Sequence, residues 1–272
     1  MIVLSIVLYK TAREHLFHVL QSCSSAKRIL SAVCIVDNSP TDELRTIVES
    51  HGYVYMHRPD NPGFGTSHNF AFANVGMDSK YYFVINADVK FRESDLAALV
   101  GYLEGNDDVG LVAPRVILPS GEIQYNRTLL PTPMNLILRR FFPRSALGEK
   151  LNTQFELRFM CGDETMAIPA LTGCFMLIRS SIFRELGGFD ENFFLYLEDY
   201  DLTRRIGRKA KTVYYPRAII THEHARGSYK SNRLLLAYAI SAIRYFSKWG
   251  WLLDRERSAI NTRTLRDVNG AR

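Results

Sequence analysis

From residue 2 to residue 113 the chain repeats one pattern: a short apolar run, a turn, then a stretch of helical spacing. The apolar runs fall at 2–8, 32–37, 53–57, 81–85 and 109–113. The helical stretches between them fall at 12–22, 41–51, 65–75 and 94–104. Strands joined through helices lie parallel, and a parallel sheet must be covered on both faces. The expected fold class is therefore α/β, with a mostly parallel central sheet between two helical layers. In such sheets ligands bind beyond the carboxyl ends of the strands. Tyr9, Asp37, Arg58 and Asp88 all arrive at those ends.

The second half is less regular. Residues 125–165 include Arg139-Arg140, Phe141-Phe142 and Pro143, which interrupt any period, and they read as a mobile or helical insertion. A strand is expected at 171–179 and a helix at 181–186, followed by a turn at Gly187-Gly188-Phe189-Asp190. A helix at 196–207, short strands at 212–215 and 218–221, and a helix at 231–249 follow. The polar tail after Arg255 reads as loose.

With 272 residues, 47% of them hydrophobic, the chain can bury one large domain and is not disordered. No apolar run is long enough to span a bilayer, and the N-terminal run lacks the charged leader of a signal peptide. These features lead to a cytoplasmic expectation. None of the four cysteines, Cys23, Cys34, Cys161 and Cys174, forms a C-x-x-C pair, so reduced, mostly buried thiols are expected. Charge is unevenly spread. Residues 1–203 carry 18 Lys and Arg against 24 Asp and Glu; residues 204–272 carry 16 against 4. A basic final quarter calls for an anionic partner.

Three segments can carry chemistry. Asn86-Ala87-Asp88 follows an apolar strand, where a carboxylate can hold a divalent cation that bridges two phosphates. Glu198, Asp199 and Asp201 crowd the mouth of a helix beside Phe193, Phe194 and Tyr196; adjacent acids in apolar surroundings raise one another's proton affinity and can poise a general base. His222-Glu223-His224 follows a strand, and a neutral imidazole there can complete a metal site with Asp88. Gly63-Phe64-Gly65 lacks the third glycine of a dinucleotide fingerprint, since position 68 is His, and no G-x-x-x-x-G-K-[ST] loop occurs. Dehydrogenases and P-loop NTPases are excluded.

Taken together these segments resemble the family 2 glycosyltransferases, above all the bacterial rhamnosyltransferase-like members of O-antigen and surface polysaccharide synthesis. The resemblance is carried by Val36-Asp37-Asn38-Ser39, Asn61-Pro62-Gly63-Phe64-Gly65 with His68-Asn69, and Asn86-Ala87-Asp88-Val89. It continues in 171–176, Gly187-Gly188-Phe189-Asp190, 193–201 and 222–228. It implies a GT-A fold over 1–230, with a nucleotide-binding half at 1–115 and an acceptor and catalytic half at 116–230. It also implies an inverting, metal-dependent hexosyl transfer using Mg²⁺ or Mn²⁺. By that resemblance Asp37 contacts the base, with Tyr9 and Arg58 in the same pocket, and Gly65 and Asn69 lie near base and ribose. Asn86 and Asp88 belong to the DxD-type motif, with Asp88 the metal acid and His222 a metal or diphosphate contact. Asp199 is the catalytic base, and Glu198 and Asp201 tune it. The triplet here reads Asn-Ala-Asp, so only one carboxylate remains for the metal. The implied donor is a dTDP- or UDP-sugar, foremost dTDP-rhamnose, and the acceptor a polyprenyl-diphosphate-linked sugar or polysaccharide.

The C-terminal region, 231–272, reads as basic and amphipathic. Arg233, Ser241, Arg244, Ser247 and Lys248 fall on one side of the helix, and Leu235, Tyr238, Ala242, Phe246 and Trp249 on the other. Such a helix either lies on the inner face of the cytoplasmic membrane through 231–253 or packs its apolar side on the domain. A nucleotidyltransferase would need a basic, glycine-rich phosphate loop near the N-terminus, which 9–12 does not supply. A non-catalytic, membrane-associated sugar-nucleotide-binding protein is opposed by the intact Glu198-Asp199 pair. No nucleic-acid motif accompanies the basic tail, so nucleic acid is not an expected partner.

Overall fold

The computed structural model describes residues 1–142, 145–160, 163–223 and 232–270. Its strands are β1 (Ile2–Leu8), β2 (Ala32–Asp37), β3 (Val54–His57), β4 (Tyr81–Asn86), β5 (Val89–Lys90) and β6 (Val109–Ile117). They continue with β7 (Ile123–Gln124), β8 (Arg127–Thr128), β9 (Met166–Ala167), β10 (Ala170–Leu171), β11 (Phe175–Arg179) and β12 (Lys211–His222). The helices are α1 (Arg13–Ser25), α2 (Arg45–Ser50), α3 (Phe64–Ala71), α4 (Glu93–Glu104), α5 (Pro133–Phe141) and α6 (Ala146–Phe155). They continue with α7 (Ser180–Glu185), α8 (Glu198–Gly207), α9 (Asn232–Trp249) and α10 (Arg255–Gly270).

The main sheet runs β3-β2-β1-β4-β11-β6-β12-β5. The β1, β2, β3 and β4 strands are mutually parallel, and β12 is parallel to β6. The inserted β11 runs antiparallel to both β4 and β6. Alternation sorts the side chains. Leu4, Ile6, Val33, Ile35, Phe83 and Ile85 meet α1, α2 and α4 in one core. Val3, Tyr82, Val84, Met176 and Ile178 meet α5 to α10 in the other. This is the two-layered α/β arrangement that the strand spacing predicts.

Register decides what the sheet edge presents. Leu8 pairs with Asp37 and Val7 with Asn86, so the carboxyl ends of β1, β2 and β4 lie side by side. Because β11 and β5 are reversed, Cys174 comes to Asn86 (Asn86 N–H to Cys174 O, 3.0 Å) and His222 pairs with Val89. Tyr9, Asn38, Asp88, Cys174 and His222 thus gather at one edge although they are spread across the chain.

Three expectations change, and for 125–165 the helical alternative is the one observed. The strand expected over 171–179 is broken into β10 and β11 by Thr172-Gly173-Cys174. The two short strands at 212–221 are one strand, β12, with a register shift between Tyr215 and Ile219 where Pro216 has no N–H for the ladder. The 125–165 insertion contains two helices. Thr132 caps α5 by accepting from Asn135 N–H (3.2 Å), with Pro133 at the first helical position. The tail is not loose: it forms α10. Asp254 accepts from Arg257 N–H (2.9 Å) and takes a two-point ion pair from the buried Arg204 (2.7 and 2.9 Å), while Val268 is buried. Cys23, Cys34 and Cys174 are free and buried; Cys161 lies outside the described residues.

Candidate active site

Asp199 sits in the first turn of α8. The two residues before that helix, Tyr196 and Leu197, both adopt left-handed backbone (φ +70° and +65°). Left-handed non-glycine residues cost on the order of 1–3 kcal/mol each and persist where the surroundings impose them. Here they deliver Glu198 and Asp199 at the mouth of a cavity of about 260 Å³ that also takes in Arg139, Arg140, Thr172 and Tyr238. Burial raises the proton affinity of both acids, and the charge of Asp199 raises that of Glu198 further. The two differ in partners. Asp199 accepts from the backbone N–H of Gly173 (3.0 Å) and of Tyr200 (2.8 Å), and Arg139 lends it positive potential. Glu198 is buried, and its Oε2 has no hydrogen-bond partner. Donors aimed at a carboxylate favour its charged form. Within this pair burial and the neighbouring charge raise Glu198 further, while backbone donors and Arg139 oppose the rise at Asp199.

Asp201 has a different setting. It is fully buried, and its oxygens are taken by Arg205 (2.7 Å), Lys248 (2.7 Å) and Trp249 Nε1 (2.9 Å). It ties α8 to α9 and does not line the Asp199 cavity.

At the other end of the Thr172-Gly173-Cys174 tip lies the second corner. His222 Nε2 is 3.0 Å from Asp88 Oδ1, and Asn86 Nδ2 is 3.3 Å from the same nitrogen. His222 Nδ1 is 2.8 Å from Gln124 Oε1. With Nδ1–H donated to Gln124, Nε2 would be free to ligate a cation alongside the Asp88 oxygen, which is how metal-ligating histidines are held. A carboxylate and an imidazole 3.0 Å apart fit as neighbouring ligands of a small divalent cation completed by phosphate oxygens. Among the described residues no group of three or more His, Cys, Asp or Glu makes a self-sufficient metal cluster. His224, Arg226, Gly227 and Ser228 lie outside the described residues.

The tip joins the corners. Gly173 donates to Asp199, Cys174 carbonyl accepts from Asn86, and the Cys174 thiol, pushed up to about 12 by burial, feels the charge of both Asp88 and Asp199. A Cβ on Gly173 would rest in ordinary van der Waals contact with Asp199 Cβ (3.4 Å) and the Phe64 ring (3.5 Å).

The other expected ligands divide. Tyr9 lines a cleft of about 720 Å³ with Lys10, Asn38, Asn61 and Phe64. Asp37, at the end of β2, is buried, its carboxylate accepting from Tyr55 hydroxyl (2.7 Å) and Ser39 N–H (2.9 Å). Arg58 is not in the Tyr9 cleft: it pairs with Asp60 (2.7 Å), stacks on Phe70 (4.8 Å) and lines a separate cavity of about 540 Å³. Gly65 packs on Phe189, where a Cβ would collide with that side chain. Asn69 clamps the glycine turn, donating to Phe189 O (2.9 Å) and accepting from Phe189 N–H (2.8 Å). Gly63 has φ +106°, and any Cβ there would strike the Phe194 carbonyl; Phe64 N–H bonds that same oxygen at 3.0 Å. Gln124 was not singled out from the sequence, and Gly173 and Arg139 were given no role in the site. Thr132-Pro133 was the available signal for the helix that carries Arg139.

The glycosyl transferase family 2 model matches residues 10–187. The chain belongs to this family. An N-acetylglucosaminyl-diphospho-decaprenol L-rhamnosyltransferase of Mycobacterium tuberculosis is 27% identical over 230 residues, covering 79% of this chain and 73% of that protein. Rhamnosyltransferase WbbL of Escherichia coli K12 is 24% identical over 218 residues, covering 74% and 76%. Among solved structures, GalNAc-T7 with UDP, GalNAc and Mn²⁺ superposes with a TM-score of 0.64 at 14% identity. It is covered over 91% of this chain, which spans about half of GalNAc-T7 (48%). The mannosyltransferase PcManGT of Pyrobaculum calidifontis, with GDP-Man and Mn²⁺, gives 0.58 at 15% identity over 100% of this chain and 75% of its own. The fold of this family 2 protein is GT-A, with a C-terminal helical region added. Asp199, His222 and α9 all lie beyond the matched segment, so their roles rest on their geometry.

Proposed function

We propose that this family 2 glycosyltransferase transfers a hexosyl group, foremost L-rhamnose from dTDP-rhamnose, with inversion at the anomeric carbon. The proposed acceptor is a polyprenyl-diphosphate-linked sugar or a growing surface polysaccharide. The observation that carries the reading is the tip at 172–174, which brings a half-buried Asp199 that accepts from two backbone N–H groups and the Asp88–His222 pair to one edge of the sheet. Asp199 takes the proton of the acceptor hydroxyl as that oxygen attacks the anomeric carbon from the face opposite the nucleotide. Glu198, holding its proton, keeps a second negative charge away from the incoming nucleophile. Asp88 and His222 would hold Mg²⁺ or Mn²⁺, which supplies Lewis-acid stabilisation of the departing diphosphate. Tyr9 offers its ring to the base. Two mycobacterial and enterobacterial rhamnosyltransferase relatives support the choice of sugar, and the decaprenyl-diphosphate acceptor in the name of the former supports the acceptor class.

The enzyme is proposed to work on the inner face of the cytoplasmic membrane. Among the described residues no helix is long and apolar enough to cross a membrane. Support for peripheral contact comes from Trp251, Leu252 and Leu253, the last two 82% and 96% exposed, and from exposed Ile137, Phe141 and Phe142 beside Arg139 and Arg140. The α5 helix bearing the latter packs on α9 through Tyr238.

The test is incubation of the whole chain with dTDP-rhamnose or UDP-hexoses, Mn²⁺ and a polyprenyl-diphosphate-linked N-acetylglucosamine. Release of nucleoside diphosphate with a glycosylated acceptor is expected. Release of pyrophosphate would point to a nucleotidyltransferase, and binding of donors without turnover to a non-catalytic protein.

A further inference from the structure

The cleft of about 720 Å³ has two walls of different origin. One is the strand edge already described: Tyr9, Lys10, Asn38, Asn61, Gly63 and Phe64. The other is α9, which contributes Arg233, Leu236, Ala237, Ile240 and Arg244. We propose that α9 is the second wall of the nucleotide-sugar site, with Arg233 and Arg244 as donor-binding residues. The proposal rests on the glycosyl-transfer reading and extends the site into a helix outside the family match.

Three observations carry it. First, the charge of the cleft is one-sided: among the described residues Lys10, Arg233 and Arg244 line it and no carboxylate does. Apart from Asn38, Asn61 and Ser241 the rest of the lining is aromatic, aliphatic or glycine. An aromatic and aliphatic slot edged by guanidinium groups suits a base and ribose followed by a diphosphate. Second, α9 is fixed to the domain as a wall should be. Tyr245 and Phe246 are buried in the core, Ser241 hydroxyl donates to Leu195 O (2.8 Å), and Lys248 pairs with Asp201 and Asp190. The expected basic side of the helix is therefore largely engaged with the domain. Arg244 spends one donor on Asn192 carbonyl, and a guanidinium has five. Third, Leu234 lines both this cleft and the cavity of Asp199. The first turn of α9 thus stands where a donor in one cavity meets an acceptor in the other. Leu236 and Ile240, 61% and 39% exposed, both line the cleft and gain a cover when a nucleotide occupies it.

The experiment is calorimetric titration of the whole chain with UDP, dTDP and their nucleosides in Mn²⁺ buffer, with melting temperature as the folding control. Arg233→Ala and Arg244→Ala are expected to weaken diphosphate binding roughly 10- to 100-fold while leaving nucleoside binding unchanged, as loss of a charged hydrogen bond predicts. Arg233→Lys recovers part of that loss. Ala237→Trp, which fills the slot, abolishes binding of both without lowering the melting temperature. If the unaltered chain binds nucleotide and these variants bind it equally well, α9 is not part of the site and the transfer reading stands. If the unaltered chain binds no nucleotide, both fall.

Discussion

Asp199 and Asp201 are separated by one residue in the first turn of α8, so at about 100° per residue their side chains leave the helix roughly 200° apart. Asp199 meets two backbone N–H groups and an open cavity. Asp201 meets Arg205, Lys248 and Trp249 in the interior. In sequence they are members of one acidic cluster. In the structure one can exchange a proton with a substrate and the other holds two helices together. A carboxylate's role follows from what occupies its oxygens: backbone donors leave a charged, reactive group, whereas two cations and an indole leave no oxygen for a ligand.

The largest expected effect comes from Asp199→Asn. Removing a well-placed base lowers turnover by about 10²–10⁴-fold, while the melting temperature and nucleotide binding stay unchanged. Measured transfer rates at saturating donor decide this; near-normal turnover would remove Asp199 from the mechanism. Asp201→Asn should give the opposite profile. Breaking one side of a buried ion pair costs about 3–5 kcal/mol of stability, so chemical denaturation should shift strongly while the folded fraction still turns over at low temperature. A variant that kept its stability and lost only activity would collapse the distinction drawn between the two.

The same comparison explains what could be read in advance. Strand alternation was legible because burial on both faces writes itself into residues such as Leu4, Ile35 and Phe83. The arrival of Tyr9 and Asp88 at one edge followed from parallel topology, whereas Asp199 is brought to them by the tip that precedes the reversed strand β11. What could not be read was partnership. Nothing near Asp201 in sequence announces Lys248 and Trp249, almost fifty residues away, or tells that Arg58 is drawn off by Asp60 and Phe70. The α10 helix was missed for the same reason: its polar residues are held by Arg204 in α8, so local composition resembled a loose tail.

A smaller effect is expected at the second corner. Gln124→Leu leaves His222 and Asp88 in place but removes the acceptor that orients Nδ1–H. Loss of such a supporting hydrogen bond typically weakens a metal site about 10–100-fold. Titration with Mn²⁺ in the presence of a nucleoside diphosphate measures it, and unchanged affinity would mean that His222 does not ligate the cation.

The smallest effect is the sharpest test of how the Glu198–Asp199 pair shares its proton. Burial and the neighbouring charge raise Glu198 well above the ordinary carboxylate range, and its Oε2 has no donor to stabilise an anion. Glutamine mimics the protonated acid in shape and charge. Glu198→Gln should therefore keep turnover within about tenfold of the unaltered enzyme, whereas loss of a general base costs more. Asp199 is itself raised by burial. The rate should therefore fall, in both proteins, as pH drops through a limb lying above the usual carboxylate value of about 4. Stability carries a separate sign. A carboxyl whose folded pKa is raised gives its full contribution below its unfolded pKa and loses it as pH rises through the folded value. The unaltered chain should lose stability over that alkaline-going range, and Glu198→Gln should lose less of it. If the glutamine variant were instead inactive at every pH, Glu198 would be the group that takes the proton, and the donors on Asp199 would have to be read as structural.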